Sequence, residues 1–249
     1  MEVLRQLSSH SPWLDVSMVR RRWQSRLVIL SVALLALASS FTALPNTFVQ
    51  DDAAIIFSSH ALHSLARPWH LFTQSYWPAP YPQNLYRPLT SLGLAVQWAI
   101  GGGHPLIFKL VSILLYVLAA LAVLALARRV LAPGAAWLAA ALFAVHPVHT
   151  EAVAVAVNQA ELIVAALLAV LVTEYIDRRR EGAGYSARWV FGMFAGYVAT
   201  MLFKEHGAML PALLVVAELT VIRDPRPWRE QLAALRPLYL SLVLGAVAV

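Results

Sequence analysis

The residues able to do chemistry in this chain fall in short clusters: Asp51-Asp52, Tyr86-Arg87-Pro88-Leu89, His146-Pro-Val-His149-Thr-Glu151, Glu161 and Lys204-Glu205. A carboxylate can take a proton as a general base, and both an arginine fork and a lysine ammonium suit phosphate oxygens. His146, His149 and Glu151 form H-x-x-H-x-E, which sets two imidazoles one helical turn apart, as ligands of a divalent cation would be. That pattern is loose and Pro147 interrupts the helix, so hydrogen bonding and phosphate contact are the preferred reading, with a metal as the lesser one. Each cluster also has a plain structural reading. Asp51-Asp52 is equally a solvated start to a helix over 53–66, favoured by the helix dipole. Lys204-Glu205 is equally a neutralised interfacial pair, and Arg87 a snorkelling anchor. Cysteine is absent, which removes thiolate nucleophiles, zinc–thiolate sites and disulfides.

The elements that must position these residues are read from the apolar pattern. Of 249 residues, 60% are hydrophobic and 13% charged, with a mean hydropathy of +0.66. Soluble two-layer folds are excluded, and an all-α polytopic membrane protein with about six or seven spans is expected. The net charge of +6 does not indicate nucleic acid, because the arginines stand beside apolar runs and read as topology signals. The runs are 27–44, 106–126, 135–145, 162–176, 189–203 and 208–222, with a further apolar run starting at Leu238 that is too short to cross a bilayer. A cleavable signal peptide is the rival reading for the first run; the long preceding stretch and the later spans favour an anchor. Residues 45–105 hold no run of 18 and carry Pro45, Pro68, Pro78, Pro80, Pro82 and Pro88, so they form a long first loop with short amphipathic helices expected at 51–66 and 86–100. Gly101-Gly102-Gly103 reads as a flexible turn before the second span.

If the N-terminus is cytoplasmic, alternation puts 15 of the 19 Lys and Arg residues inside, leaving Arg67, Arg87, Lys109 and Lys204 outside. That bias sets the orientation under the positive-inside rule. The expected organisation is a cytoplasmic segment 1–26, then a transmembrane domain 27–249 with its first external loop at 45–105, and cytoplasmic loops at 127–134, 177–188 and 223–236. The same alternation sends seven of eight histidines outside, together with Asp51, Asp52, Glu151, Glu161 and Glu205. A charge at membrane depth costs about 2.5 to 3.5 kcal/mol even on lenient scales, so a shared extracytoplasmic polar cavity is the economical expectation. His60, His63 and His70 sit among Trp69, Tyr76 and Trp77, where an interfacial aromatic belt suffices. Glu174 and Glu218, near cytosolic span ends, are expected to pair with neighbouring arginines.

DD-x-x-I at 51–55, RPW at 67–69, YRPL at 86–89, HPVHTEAVA at 146–154, AEL at 160–162 and KE-x-G at 204–207 occur in this order between the spans. Together they resemble the N-terminal membrane region of the transmembrane O-mannosyltransferases with tetratricopeptide repeats and their bacterial relatives. The resemblance implies a GT-C glycosyltransferase fold, a catalytic acidic residue in the first external loop, which maps to Asp51-Asp52, and a lipid-phosphate-linked sugar as donor. It also implies that the chain is the early part of a larger protein whose repeats lie beyond it. The sequence departs from that pattern at Gln159, where arginine is expected before Ala-Glu-Leu, and at the start of the second span, HPLIFKLV.

On this reading one of the two Asp residues, with Asp51 favoured, takes the acceptor proton, while Arg87, Lys204 and the His146/His149 pair meet the departing phosphate. Glu151, Glu161 and Glu205 orient them. The implied partners are the bilayer, a polyprenyl-phosphate sugar and an acceptor protein, glycan or lipid; no cofactor beyond that donor is required, a divalent cation being the open option. The implied location is the inner membrane of a bacterium or the endoplasmic reticulum of a eukaryote. A transporter or channel is the rival from another class, since intramembrane charges also mark ion routes; against it, the middles of the spans stay apolar, with no broken helix at the midplane. An inactive membrane scaffold is the third reading.

Overall fold

The computed structural model describes residues 16–182 and 185–248; the expected N-terminal segment therefore falls largely outside the described residues. Helix α1 (Val16–Ser40) gives way to a long, mostly irregular first loop, followed by α2 (Pro88–Gly101), α3 (Pro105–Val130) and α4 (Pro133–Val145). A short α5 (Thr150–Ala154) leads into α6 (Gln159–Arg180), α7 (Ala187–Phe203), α8 (Leu210–Ala217) and α9 (Trp228–Ala248). Among the described residues there is no strand, and the chain is an all-α polytopic membrane protein. Four segments are long and apolar enough to cross a membrane, Ser25–Ala43, Pro105–Val130, Ala156–Arg180 and Glu205–Ile222, while Pro133–Val145 and Ala187–Phe203 are shorter apolar helices.

Proline and histidine together start several of these elements. Pro88, Pro105 and Pro133 each open a helix, where the missing N–H costs nothing. His104 and His146, each followed by proline, accept from the backbone N–H two residues on, through Nδ1 at 3.3 and 3.2 Å, and so cap the turn they precede. Gly102, at φ +57°, ends α2 in the left-handed conformation, so the glycine run expected as a flexible turn is a helix stop.

Three apolar clusters hold the bundle. Val32 and Ala36 of α1, Tyr116, Ala120 and Leu124 of α3, and Ala140 and Ala144 of α4 form one, in which alanines let the backbones approach. Tyr175, Tyr197, Leu214 and Leu238 bring α6 to α9 into a second. The third joins the loop to the helix ends: Ile55, Ile56, Leu62 and Leu71 pack with Leu94, Phe108 and Val155.

Several expected boundaries differ. The helix expected over 51–66 is a π-turn at Ala53–Phe57 and a 3-10 turn at His60–His63, because the serines at 58 and 59 and the loop's packing interrupt it. The helix expected at 86–100 forms as α2. The apolar run expected to start at Leu238 is the second half of the 21-residue α9, which begins at Trp228 and runs through Pro237. The basic clusters at 128–129 and 178–180 lie in the last turns of α3 and α6 rather than in loops, where cations meet the helix dipole favourably.

Candidate functional site

The first turn after Gln50 separates the two acidic residues. Asp51 is exposed, whereas Asp52 has no exposed surface. Asp52 accepts from the backbone N–H of Ala156 (3.1 Å), Val157 (2.9 Å) and, across its own turn, Val49 (3.3 Å). Its Oδ2 lies 3.6 Å from the ammonium of Lys109, itself wholly buried, which donates to the Ala154 carbonyl. A buried carboxylate is tolerable only when hydrogen-bonded and charge-compensated, and this one is both. Asp52 is therefore a clamp between the first loop, α3 and the 154–157 segment, not the solvated helix start that its sequence neighbourhood allows.

Next to the acidic turn stand Tyr76 and Arg87. The guanidinium of Arg87 lies 5.0 Å from the centre of the Tyr76 ring and is bonded in a two-point fork to Glu205, through Nε (3.0 Å) and Nη2 (2.9 Å). Burial pushes the Tyr76 phenol well above its ordinary range, Arg87 opposes the shift, and the charges of Asp52 and Asp51 add to it. Both carboxylates are thus within electrostatic reach of the Tyr76–Arg87 pair.

The Lys204-Glu205 turn sits at the same edge. Lys204 donates to Glu161 at the start of α6, and His206 Nε2 stands 3.4 Å from the other oxygen of the same carboxylate. Thr90 of α2 donates to the Phe203 carbonyl at 2.6 Å, tying the end of α7 to the start of α2. Gly207 makes the turn possible, because a Cβ there would lie 2.5 Å from the carbonyl carbon of Thr200. Two ion pairs on adjacent residues, Arg87–Glu205 and Lys204–Glu161, bring these four side chains to one edge, and Asp51 is tied to it only through its charge acting on Tyr76.

His146 and His149 go elsewhere. They line a small cavity of about 100 Å³ with Ser39, Ser40, Asn46 and Tyr116, at the junction of α1, α3 and α4. Asp51, Arg87 and Lys204 do not line it. His149 Nδ1 is 3.1 Å from the Phe143 carbonyl and 3.3 Å from the Tyr116 hydroxyl, and desolvation pulls its imidazole below the ordinary range, helped by the neighbouring His146. Glu151 is exposed and accepts from Asn158 at 3.4 Å. Among the described residues no group of three His, Cys, Asp or Glu side chains is placed to hold a metal ion, and the H-x-x-H-x-E residues spend their polar atoms on caps, carbonyls and an amide. These residues do not fit a metal as a set.

Sequence reasoning missed four contributors. Lys109 is counted there only as an external charge, although an ionisable residue four positions into an apolar run already signals a buried partner. Tyr76 and Tyr116 are indistinguishable in sequence from belt or lipid-facing aromatics. Gln159, standing where arginine is expected, is buried and forms a two-way amide pair with Gln97 (2.8 and 3.0 Å) while also donating to the Phe108 carbonyl (3.0 Å) and bonding Ser112 (3.1 Å). Of the two glutamates expected to meet arginines, Glu218 bonds Arg179, whereas Glu174 accepts from the Trp189 indole at 3.0 Å.

No known protein-family model matches the chain. Comparison with curated proteins finds relatives named protein O-mannosyl-transferases. Protein O-mannosyl-transferase TMTC4 of Homo sapiens is 35% identical over 222 residues, covering 80% of this chain and 29% of that protein. Protein O-mannosyl-transferase Tmtc2 of Drosophila melanogaster is 33% identical over 226 residues, covering 86% of this chain and 23% of that protein. Protein O-mannosyl-transferase TMTC3 of Mus musculus is 30% identical over 181 residues, 70% of this chain and 19% of that protein. The chain spans less than a third of the length of each.

Proposed function

As the chain is a homologue of the protein O-mannosyl-transferases TMTC1 to TMTC4 over most of its length, we propose that it forms the catalytic membrane part of a glycosyltransferase. In this reading it transfers a mannose-like sugar from a polyprenyl phosphate to an acceptor hydroxyl at the extracytoplasmic face. The observation that carries the reading is the division of labour at 51–52: one carboxylate is open to an incoming acceptor, and its neighbour is buried and bonded on three backbone amides.

The chemistry needs a proton acceptor and cations. The acceptor oxygen attacks the anomeric carbon as the carbon–oxygen bond to the lipid phosphate breaks, and the hydroxyl proton passes to Asp51, so a single displacement inverts the anomeric centre. The electron pair leaves on the phosphate, which Arg87 and Lys204 stabilise. Arg87 spends Nε and Nη2 on Glu205 and Lys204 donates to Glu161, so the two glutamates hold the two cations in place for the phosphate. Asp52 and Lys109 act as positioning residues, fixing the turn on which Asp51 stands. Their hydrogen bonds go to backbone groups, which favours a fixed clamp over the moving charge pair a transporter requires. The His146/His149 cavity, which Asp51, Arg87 and Lys204 do not line, takes no part in this step.

The test is transfer itself. Full-length protein in proteoliposomes, given labelled polyprenyl-phosphate mannose and an acceptor protein, is expected to move label into the protein fraction. Turnover undiminished by Arg87→Ala would rule out the proposed phosphate contact.

A further inference from the structure

Helix α6 starts at the acidic edge and ends about 33 Å away, at 1.5 Å per residue for its 22 residues, in Arg178-Arg179-Arg180. At that far end lies a half-open space of about 540 Å³, larger than the His146/His149 cavity and within the roughly 300–1,000 Å³ of typical ligand pockets. The three arginines line it together with Arg226 and Asp224 from the turn after Ile222 and with Tyr185 before α7.

Its charge is one-sided. Asp224 is almost buried and is gripped by Arg226 (2.7 Å) and Arg179 (2.9 Å); Arg226 holds its carboxyl well below the usual carboxylate range, so it stays ionised. Arg179, which is 4% exposed, also bonds Glu218 behind it (2.8 Å) and the Tyr185 hydroxyl (3.2 Å). The two carboxylates are thus turned inward on one buried arginine. Arg180 and Arg226 remain at the surface, and Arg178 lies 6.0 Å from the Trp189 ring. Arg178, Arg180 and Arg226 line the space with the one carboxylate of Asp224, while Arg179 is spent on Asp224 and Glu218.

Basic residues near span ends need only be numerous to set topology; they need not surround a cavity. We propose that this pocket binds the phosphate headgroup of an anionic phospholipid of the surrounding leaflet. The spans 156–180 and 205–222 both end here, which sets the opening at headgroup depth. Ile222, Pro225 and Ala234 supply apolar wall for the glycerol and first methylenes. Guanidinium forks match phosphate oxygens, and basic pockets between helices at a membrane surface are suited to such headgroups. A soluble phosphate would need neither the depth nor the apolar wall.

The experiment uses the full-length protein reconstituted with a mixture of phosphatidylcholine and phosphatidylglycerol, then partly delipidated, with retained lipid read by native mass spectrometry. Phosphatidylglycerol is expected to be retained over phosphatidylcholine. Removing two arginines in R178Q/R180Q is expected to lower that preference about thirtyfold, and R178K/R180K to keep it within a few-fold. Ala234→Trp, which fills the pocket without touching a charge, is expected to abolish it, and it carries the test if the glutamine pair does not fold. Equal retention of both lipids by the unaltered protein, unchanged preference in R178Q/R180Q or Ala234→Trp, loss in the lysine pair, or displacement by inorganic phosphate alone would each overturn the proposal.

Discussion

Asp51 and Asp52 are one position apart in sequence, yet one is exposed and the other wholly buried, so their substitutions separate chemistry from stability. Asp51→Asn is expected to lower sugar transfer by about 10²- to 10⁴-fold with the unfolding midpoint unchanged, the cost of losing a general base. Asp52→Asn strands the buried Lys109 and is expected to destabilise by about 3 to 5 kcal/mol, read by thermal unfolding in detergent. Equal transfer by both variants and the unaltered protein would remove the carboxylate base from the mechanism. His149 gives a pH signature. Its folded-state value is depressed by desolvation, so the unfolded chain binds the proton first as pH falls. The stability tied to a neutral His149 is complete above the ordinary value of 6.5 and is lost as pH drops below it. Between pH 7.5 and 5 the unaltered protein should lose more stability than His149→Gln, and parallel curves would show that the imidazole does not titrate on unfolding.

The 204–209 turn is the element on which the cationic edge depends. Its geometry needs Gly207 against the backbone of Thr200, where any side chain collides with main-chain atoms that cannot move aside. Gly207→Ala is expected to cost about 1 to 3 kcal/mol by overpacking and, by shifting Lys204 and Glu205, to reduce transfer more than stability. The readout is transfer rate against unfolding midpoint, and normal values of both would mean that the turn absorbs the methyl group. The KE-x-G spacing was legible in the sequence; the reason for its glycine was not, because the collision is with a residue seven positions upstream brought close only by the fold. The H-P pairs behave in the opposite way, since His104 and His146 cap the very next turn and local sequence is enough to define them.

For the whole molecule the arginine bias predicts orientation. Single cysteines at Arg128 and Arg180, in a chain with no native cysteine, should resist membrane-impermeant thiol reagents in intact cells, whereas one at the exposed Trp69 should react. The reverse pattern would invert the topology. Composition and hydropathy by themselves determined an all-α membrane bundle, its main apolar helices and the clusters able to do chemistry, because the bilayer imposes length and polarity on each segment separately. Only the tertiary structure decided which of those clusters meet. It joined Arg87, Glu161, Lys204 and Glu205 at one edge, moved His146 and His149 to a cavity with α1, and left Asp51 exposed while turning Asp52 inward on Lys109. Those choices rest on contacts between residues about 40 to 120 positions apart, on packing between helices and on the direction in which one carboxylate of two must point, none of which is written in a local pattern.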